Sequence, residues 1–142
     1  MKKHLAMLLI IPLLAGCASC ALLLTSRGQS WDMIQSVGGL RVDDPATQPD
    51  GTTFLPVVCN VSGLEEITVK PTTINSALVV KKTTARFKED SIQIQIVTCV
   101  VDDKHTSVSK GVDLGTLSSG IYQVEYLNPD GSTIPLKQIE IK

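Results

Sequence analysis

Hydrophobic and polar residues alternate with a period of two along most of the chain after Phe54. In residues 92–96, for example, three isoleucines alternate with two glutamines. This pattern is typical of strands with one buried side and one side facing solvent. The runs add up to seven or eight short strands over residues 54–142. The sequence therefore predicts an all-β fold, a single antiparallel β-sandwich.

The alternation changes parity inside two of these runs. Ile92, Ile94 and Ile96 share one face, whereas Cys99 belongs to the next apolar set, which has the opposite parity. A β-bulge near Ile96–Val97 would resolve the conflict and turn Cys99 into the core. The same shift recurs in the last strand, where Ile134 and Leu136 give way to Ile139 and Ile141.

A short helical segment is predicted ahead of the strands. Ser30 can cap it, its apolar residues recur at helical spacing up to Val37, and Gly38-Gly39 ends it. Residues 43–53 are polar and contain two prolines, which indicates a linker or loop. We expect three parts: a signal peptide (1–16), a tether with helix and linker (17–53), and the sandwich (54–142).

The motif Leu117-x-x-Gly120-x-Tyr122-x-Val124 resembles the tyrosine corner of immunoglobulin-like sandwiches. The resemblance implies an immunoglobulin-like fold in which the Tyr122 hydroxyl hydrogen-bonds backbone just upstream. The residue two positions after Tyr122 is valine and not cysteine. Any disulfide here therefore differs from the usual one of antibody domains.

The N-terminus carries export signals. Lys2 and Lys3 precede an apolar run, residues 5–14, and the run ends in Leu14-Ala15-Gly16-Cys17. These four residues resemble the lipobox of bacterial lipoproteins. The resemblance implies cleavage before Cys17, acylation of that cysteine with a diacylglycerol thioether, and palmitate as a component of the anchor. Ala18, where an aspartate would favour the inner membrane, implies an outer-membrane lipoprotein that faces the periplasm.

Two other interpretations of the N-terminus stay open, an uncleaved membrane anchor and ordinary secretion. Residues 5–24 are nearly all apolar and long enough to cross a bilayer. Pro12 and the small residues 16–19 suit a cleavage region better than the centre of a helix. The residues before Cys20 (17–19) do not begin with the branched apolar residue of a lipobox. Cys17 is therefore the expected lipidation site.

Charge and cysteine content limit the possible classes of function further. Without residues 1–16 the chain has 126 residues, 11 basic and 14 acidic, a formal charge of −3. This near-neutral balance does not fit a nucleic-acid binder. Three cysteines remain after lipidation of Cys17. In an oxidising compartment Cys59 and Cys99 are the expected disulfide pair, which leaves Cys20 over.

Catalytic and metal-binding patterns are missing from the sequence. His4 lies in the signal peptide, and His105 is expected in a solvated turn, so no residue is assigned as catalytic. The cysteines, histidines and acids match neither zinc nor calcium spacing, and no phosphate loop is present. We therefore predict no enzyme activity, no metal and no cofactor.

The remaining candidates point to binding. Lys82, Arg86 and Lys88 form a basic stripe that could meet anionic lipid or an acidic partner, or could guard a sheet edge against aggregation. Trp31 is a partner anchor, a residue that packs on the sandwich, or a residue in the membrane interface. We expect a lipoprotein that binds an envelope protein. The alternative is a periplasmic hydrolase inhibitor that uses residues 102–110 or 128–132.

Overall fold

The computed structural model of the chain describes residues 26–142. It confirms an all-β sandwich with one short helix. The ten strands exceed the predicted seven or eight because several have only two or three residues. In chain order the elements are β1 (Arg27–Gly28), α1 (Trp31–Ser36), β2 (Leu40–Val42), β3 (Ala46–Thr47), β4 (Thr53–Leu55), β5 (Val57–Cys59), β6 (Leu78–Lys88), β7 (Ser91–Val100), β8 (Val112–Asp113), β9 (Gly120–Leu127) and β10 (Thr133–Ile141).

The larger sheet combines two hairpins, β6–β7 and β9–β10, and its strand order is β6-β7-β9-β10. β7 and β9 run parallel, with Ser91 opposite Gln123 and Ile94 opposite Tyr126. This pair departs from the antiparallel prediction because the chain leaves β7, passes through the second layer as β8, and only then enters β9. β1 pairs with the far end of β7.

The second layer is built from shorter pieces. β5 pairs with β2, and β4 pairs with β3 on one side and β8 on the other. Asn60 and Val108 extend this layer by an isolated bridge. Between the layers lies a core of fully buried side chains, among them Leu55, Cys59 and Ile94.

The segment ahead of Phe54 is part of this core. Ser30 caps α1 as predicted, its Oγ accepting a hydrogen bond from Met33 N at 3.2 Å. α1 ends before Gly38, where φ is +125° and a Cβ would collide with a backbone carbonyl oxygen. Ile34 and Leu40 are buried in the core cluster. Residues of the predicted tether therefore pack against the strands. Among residues 26–142, no helix has the length and apolar character needed to cross a bilayer.

The bulge predicted at Ile96–Val97 was placed on the wrong strand. β7 is paired without interruption from Ser91 to Val100, and the register shift lies in β6, between Val80 and Lys82. The extra residue changes the parity of β6, where Val80 faces the core and Lys82 the outer face, and it leaves the apolar set of Cys99 on the outer face of β7. The second predicted bulge is confirmed, since the register shifts between Pro135 and Lys137.

The position of the bulge also explains why the predicted disulfide does not form. Because β7 keeps its alternation, Thr98 faces the core and Cys99 faces the outer surface of the sheet. Cys59 is buried on the core side of β5, and both cysteines are free. The prediction of a Cys59–Cys99 bond is therefore wrong for this structure.

The tyrosine corner is present at the start of β9. The Tyr122 hydroxyl donates a hydrogen bond to the carbonyl oxygen of Ser118 at 2.9 Å, as the motif implied. The second tyrosine, Tyr126, lies in the core and donates to Gln29 O at 2.7 Å. Its ring centroid is 5.2 Å from that of Trp31. Trp31 therefore packs against the sandwich.

Candidate functional site

The outer edge of β6 is one of the two open edges of the larger sheet within residues 26–142, and the other is that of β10. On one side β6 pairs with β7 over its whole length. On its other side, Val80 N donates to Thr106 O at 2.8 Å. Beyond this bridge, from Lys82 to Lys88, no strand within residues 26–142 pairs with the outer side of β6. An edge of this kind can accept an extended chain from a partner.

The basic stripe lies along this edge. Because the bulge changes parity after Val80, Lys82, Arg86 and Lys88 all point to the outer face of the sheet. Arg86 is held there, since its Nε and Nη2 donate to Gln93 Oε1 at 3.2 and 3.0 Å. All three basic residues are exposed.

A second cluster forms where the chain leaves β7. The Asp102 carboxylate organises this turn, its Oδ1 accepting hydrogen bonds from Lys104 N at 3.0 Å and His105 N at 2.8 Å. Its Oδ2 lies 2.7 Å from His105 Nδ1 and 3.9 Å from Cys99 Sγ. The sulfur, the carboxylate oxygen and the ring nitrogen all lie within 4.8 Å of one another. We call these three residues the Cys99 cluster.

Hydrogen bonds and charges within the Cys99 cluster shift two pKa values. The hydrogen bond from His105, helped by the two backbone amides, lowers the pKa of Asp102 to about 2. Partial desolvation and the neighbouring Asp102 carboxylate raise the pKa of the Cys99 thiol, and the positive charge of Lys81 opposes them. In nucleophilic cysteine sites the base contacts the sulfur. Here a carboxylate lies next to the sulfur and disfavours the thiolate.

A cavity of about 380 Å³ adjoins the cluster, between the start of β6 and the chain that leads into β8. His105 borders it, and its other charged lining residues are mostly lysines. Ser109 closes its inner side, with its hydroxyl donating to Val57 O at 2.5 Å. The lysines that line it are Lys81, Lys82, Lys104 and Lys110.

Sequence reasoning assigned these residues to separate roles. Cys99 was expected to bridge to Cys59, and His105 was expected to be a solvated turn residue. The missed signal is the spacing Cys-x-x-Asp-x-x-His directly after a strand, which brings three donor side chains to one turn. The other candidate loop, residues 128–132, is a tight turn whose Asn128 Oδ1 accepts from Trp31 N at 2.7 Å. Cys17 and Cys20 lie outside the described residues.

The sequence matches no protein-family model, no curated protein and no solved structure. Function therefore has to be inferred from the residues and contacts of the chain itself.

Proposed function

We propose that this protein is a lipid-anchored, non-enzymatic binding module of the bacterial cell envelope. The lipobox-like Leu14-Ala15-Gly16-Cys17 supports the anchor, with the outer membrane as its location. Eight residues (18–25) lie between Cys17 and Ser26, where the described structure begins. Fully extended, they reach at most about 30 Å. The anchor would thus hold the sandwich next to a membrane, where it meets other envelope proteins.

The open edge of β6 is the observation that best supports binding. Its seven residues from Lys82 to Lys88 match the length of an ordinary strand, about five or six residues. A partner segment in extended conformation can continue the sheet there through backbone hydrogen bonds. Lys82 and Lys88 favour a partner segment that carries acidic side chains.

The same lysines disfavour pairing between two copies of this chain. Two β6 edges side by side would place basic residues of both copies on one face, and like charges destabilise neighbouring strands. The edge therefore combines protection against self-association with attraction for an acidic strand. The sequence offered edge protection and partner binding as alternative roles of the basic stripe. The stripe on β6 can serve both.

The anchor is tested by metabolic labelling with palmitate. Cells that express the full-length protein are compared with cells that express Cys17→Ser or the matched control Cys20→Ser. Labelled palmitate should be incorporated into the unaltered protein and the control and should be lost from Cys17→Ser. Label retained by Cys17→Ser, or unaltered protein in the cytosolic fraction, would contradict the proposed anchor.

The binding edge is tested by photo-crosslinking in cells. A photoreactive residue replaces Thr84 in full-length protein, or replaces the exposed Lys70 as a control away from β6. We expect an adduct of defined mass from position 84 and none from position 70. Charge reversal by Lys82→Glu with Lys88→Glu should abolish the adduct, whereas the matched pair Lys70→Glu with Lys142→Glu should preserve it. If the adduct from position 84 persists after Lys82→Glu with Lys88→Glu, this edge is not the docking site.

A further inference from the structure

The three side chains of the Cys99 cluster bring a sulfur, an oxygen and a nitrogen donor within 4.8 Å of one another. We propose that Cys99 Sγ, Asp102 Oδ2 and His105 Nδ1 bind a divalent transition-metal ion of the Zn²⁺ type. The ion would take three ligands from the protein and leave one position open toward solvent. This inference does not depend on the proposed binding function of β6.

The donor separations are close to those that a small tetrahedral ion requires. Zinc–ligand bonds of about 2.3 Å to sulfur and 2.0–2.2 Å to nitrogen and oxygen place tetrahedral ligands roughly 3.3–3.7 Å apart. The oxygen–nitrogen distance is 2.7 Å and the sulfur–oxygen distance is 3.9 Å, so they lie on either side of this range. Small side-chain rotations that open the first and close the second would admit the ion.

The carboxylate at the centre of the cluster is already oriented. Asp102 Oδ1 is occupied by the amides of Lys104 and His105, which fixes the plane of the carboxylate and directs Oδ2 toward the other two donors. Outer contacts of this kind hold metal ligands in position. Cys99 comes from β7, an interior strand of the larger sheet, so only the turn has to adjust.

The donor types and charges favour zinc over calcium or magnesium. Thiolate and imidazole are ligands of zinc-like ions, whereas calcium and magnesium prefer oxygen alone. One thiolate and one carboxylate balance the double charge of the ion. The side chains of His105 and Asp102 are 29% and 35% exposed, which leaves a path for the ion.

Binding also involves a balance of protons. The Cys99 thiol gives up its proton to solvent, and the His105 proton that Nδ1 now donates to Asp102 is exchanged for one on Nε2. The net release is the proton of the thiol. Affinity should therefore rise as pH increases.

The direct test is titration of reduced full-length protein in detergent with Co²⁺, which reports on its ligands by absorbance. We expect a sulfur-to-cobalt charge-transfer band that excess Zn²⁺ removes. Cys99→Ser should abolish the band, and Asp102→Asn or His105→Gln should weaken binding by at least about tenfold, the scale seen when metal-site residues are altered. The controls Asp103→Asn and Cys20→Ser should bind as the unaltered protein does. A missing band, or equal affinity in Cys99→Ser, would overturn the proposal.

A second measurement on the unaltered protein covers the case in which a variant fails to fold. Zn²⁺ should slow alkylation of Cys99 at least about tenfold and leave the rate at Cys20 unchanged, because only a metal-bound sulfur loses its nucleophilicity. Equal rates at Cys99 with and without Zn²⁺ would exclude the site without any substitution.

Discussion

Cys59 and Cys99 are the same amino acid in strands of one sandwich, and their surroundings differ completely. Cys59 is fully buried in β5, opposite Leu40, and burial raises its pKa to about 12. Cys99 lies on the outer face of β7, near charged Asp102 and Lys81. One thiol is thus a core side chain and the other belongs to a polar cluster at the surface.

The difference shows how much depends on a single inserted residue. In a strand, each step of one residue reverses the face to which a side chain points. Because the extra residue lies in β6, the alternation of faces in β7 is uninterrupted and Cys99 points outward. An extra residue in β7 would have turned Cys99 toward the core. The core around Cys59 and the surface around Cys99 should therefore respond differently to matched substitutions.

The largest effect is expected in the core next to Cys59. Leu55 is fully buried, so Leu55→Ala leaves a cavity and should lower the free energy of unfolding by about 3 kcal/mol. The matched change Leu64→Ala, at a side chain that is 75% exposed, should cost less than about 0.5 kcal/mol. Denaturant unfolding of both variants measures the difference. Similar losses would show that Leu55 is not a core residue.

The next largest effect compares the two cysteines themselves. Cys59→Ser places a hydroxyl among apolar side chains and should cost about 2 kcal/mol. Cys99→Ser changes a surface side chain and should stay within about 0.5 kcal/mol in metal-free buffer. Denaturant midpoints with a chelator present give both values. A greater loss for Cys99→Ser would reverse the assignment of the two faces.

The two tyrosines give a smaller contrast of the same kind. Tyr126→Phe removes a buried hydrogen bond to Gln29 O and should cost about 1.5 kcal/mol. Tyr122→Phe removes the exposed bond to Ser118 O and should cost about 0.5 kcal/mol. Thermal unfolding of the two variants tests the order. If Tyr122→Phe proves the more damaging, the tyrosine corner contributes more than the core hydrogen bond.

The smallest effect concerns pH at the surface cluster. The pKa of Asp102 is lowered in the folded protein to about 2, below its ordinary value of 3.8. Its contribution to stability is therefore present above about pH 4 and is lost as pH falls toward 2. Asp102→Asn should be less stable than the unaltered protein at pH 7, and the gap should close near pH 2. Asp103→Asn is the control, and a gap that persists at pH 2 would argue against ionised Asp102 as its source.

Much of the fold could be predicted because its signals are local. The cap at Ser30, the tyrosine corner at Tyr122 and the bulge before Lys137 each depend on a few neighbouring residues. The choice between β6 and β7 as the bulged strand was not local, since it depends on how two strands pack on a shared core. The parallel β7–β9 pair and the burial of Leu40 likewise depend on distant contacts.

The two candidate sites also differ in whether the sequence alone reveals them. The basic residues of β6 were visible as an alternating stripe, and the structure places them along a sheet edge. The Cys99 cluster was missed because the expected bond to Cys59 had already given Cys99 a partner. Once Cys99 faces outward, its spacing to Asp102 and His105 becomes informative.

The most direct test of this account is alkylation of the folded, full-length protein without reductant, followed by peptide mass mapping. The account predicts that Cys99 is modified in the folded state, while Cys59 is modified only through unfolding, which populates about 10⁻³ of molecules or fewer. Both cysteines should be labelled completely in denaturant alone. If neither is labelled until a reductant is added, the two sulfurs are bonded to each other, and the outward orientation of Cys99 is contradicted.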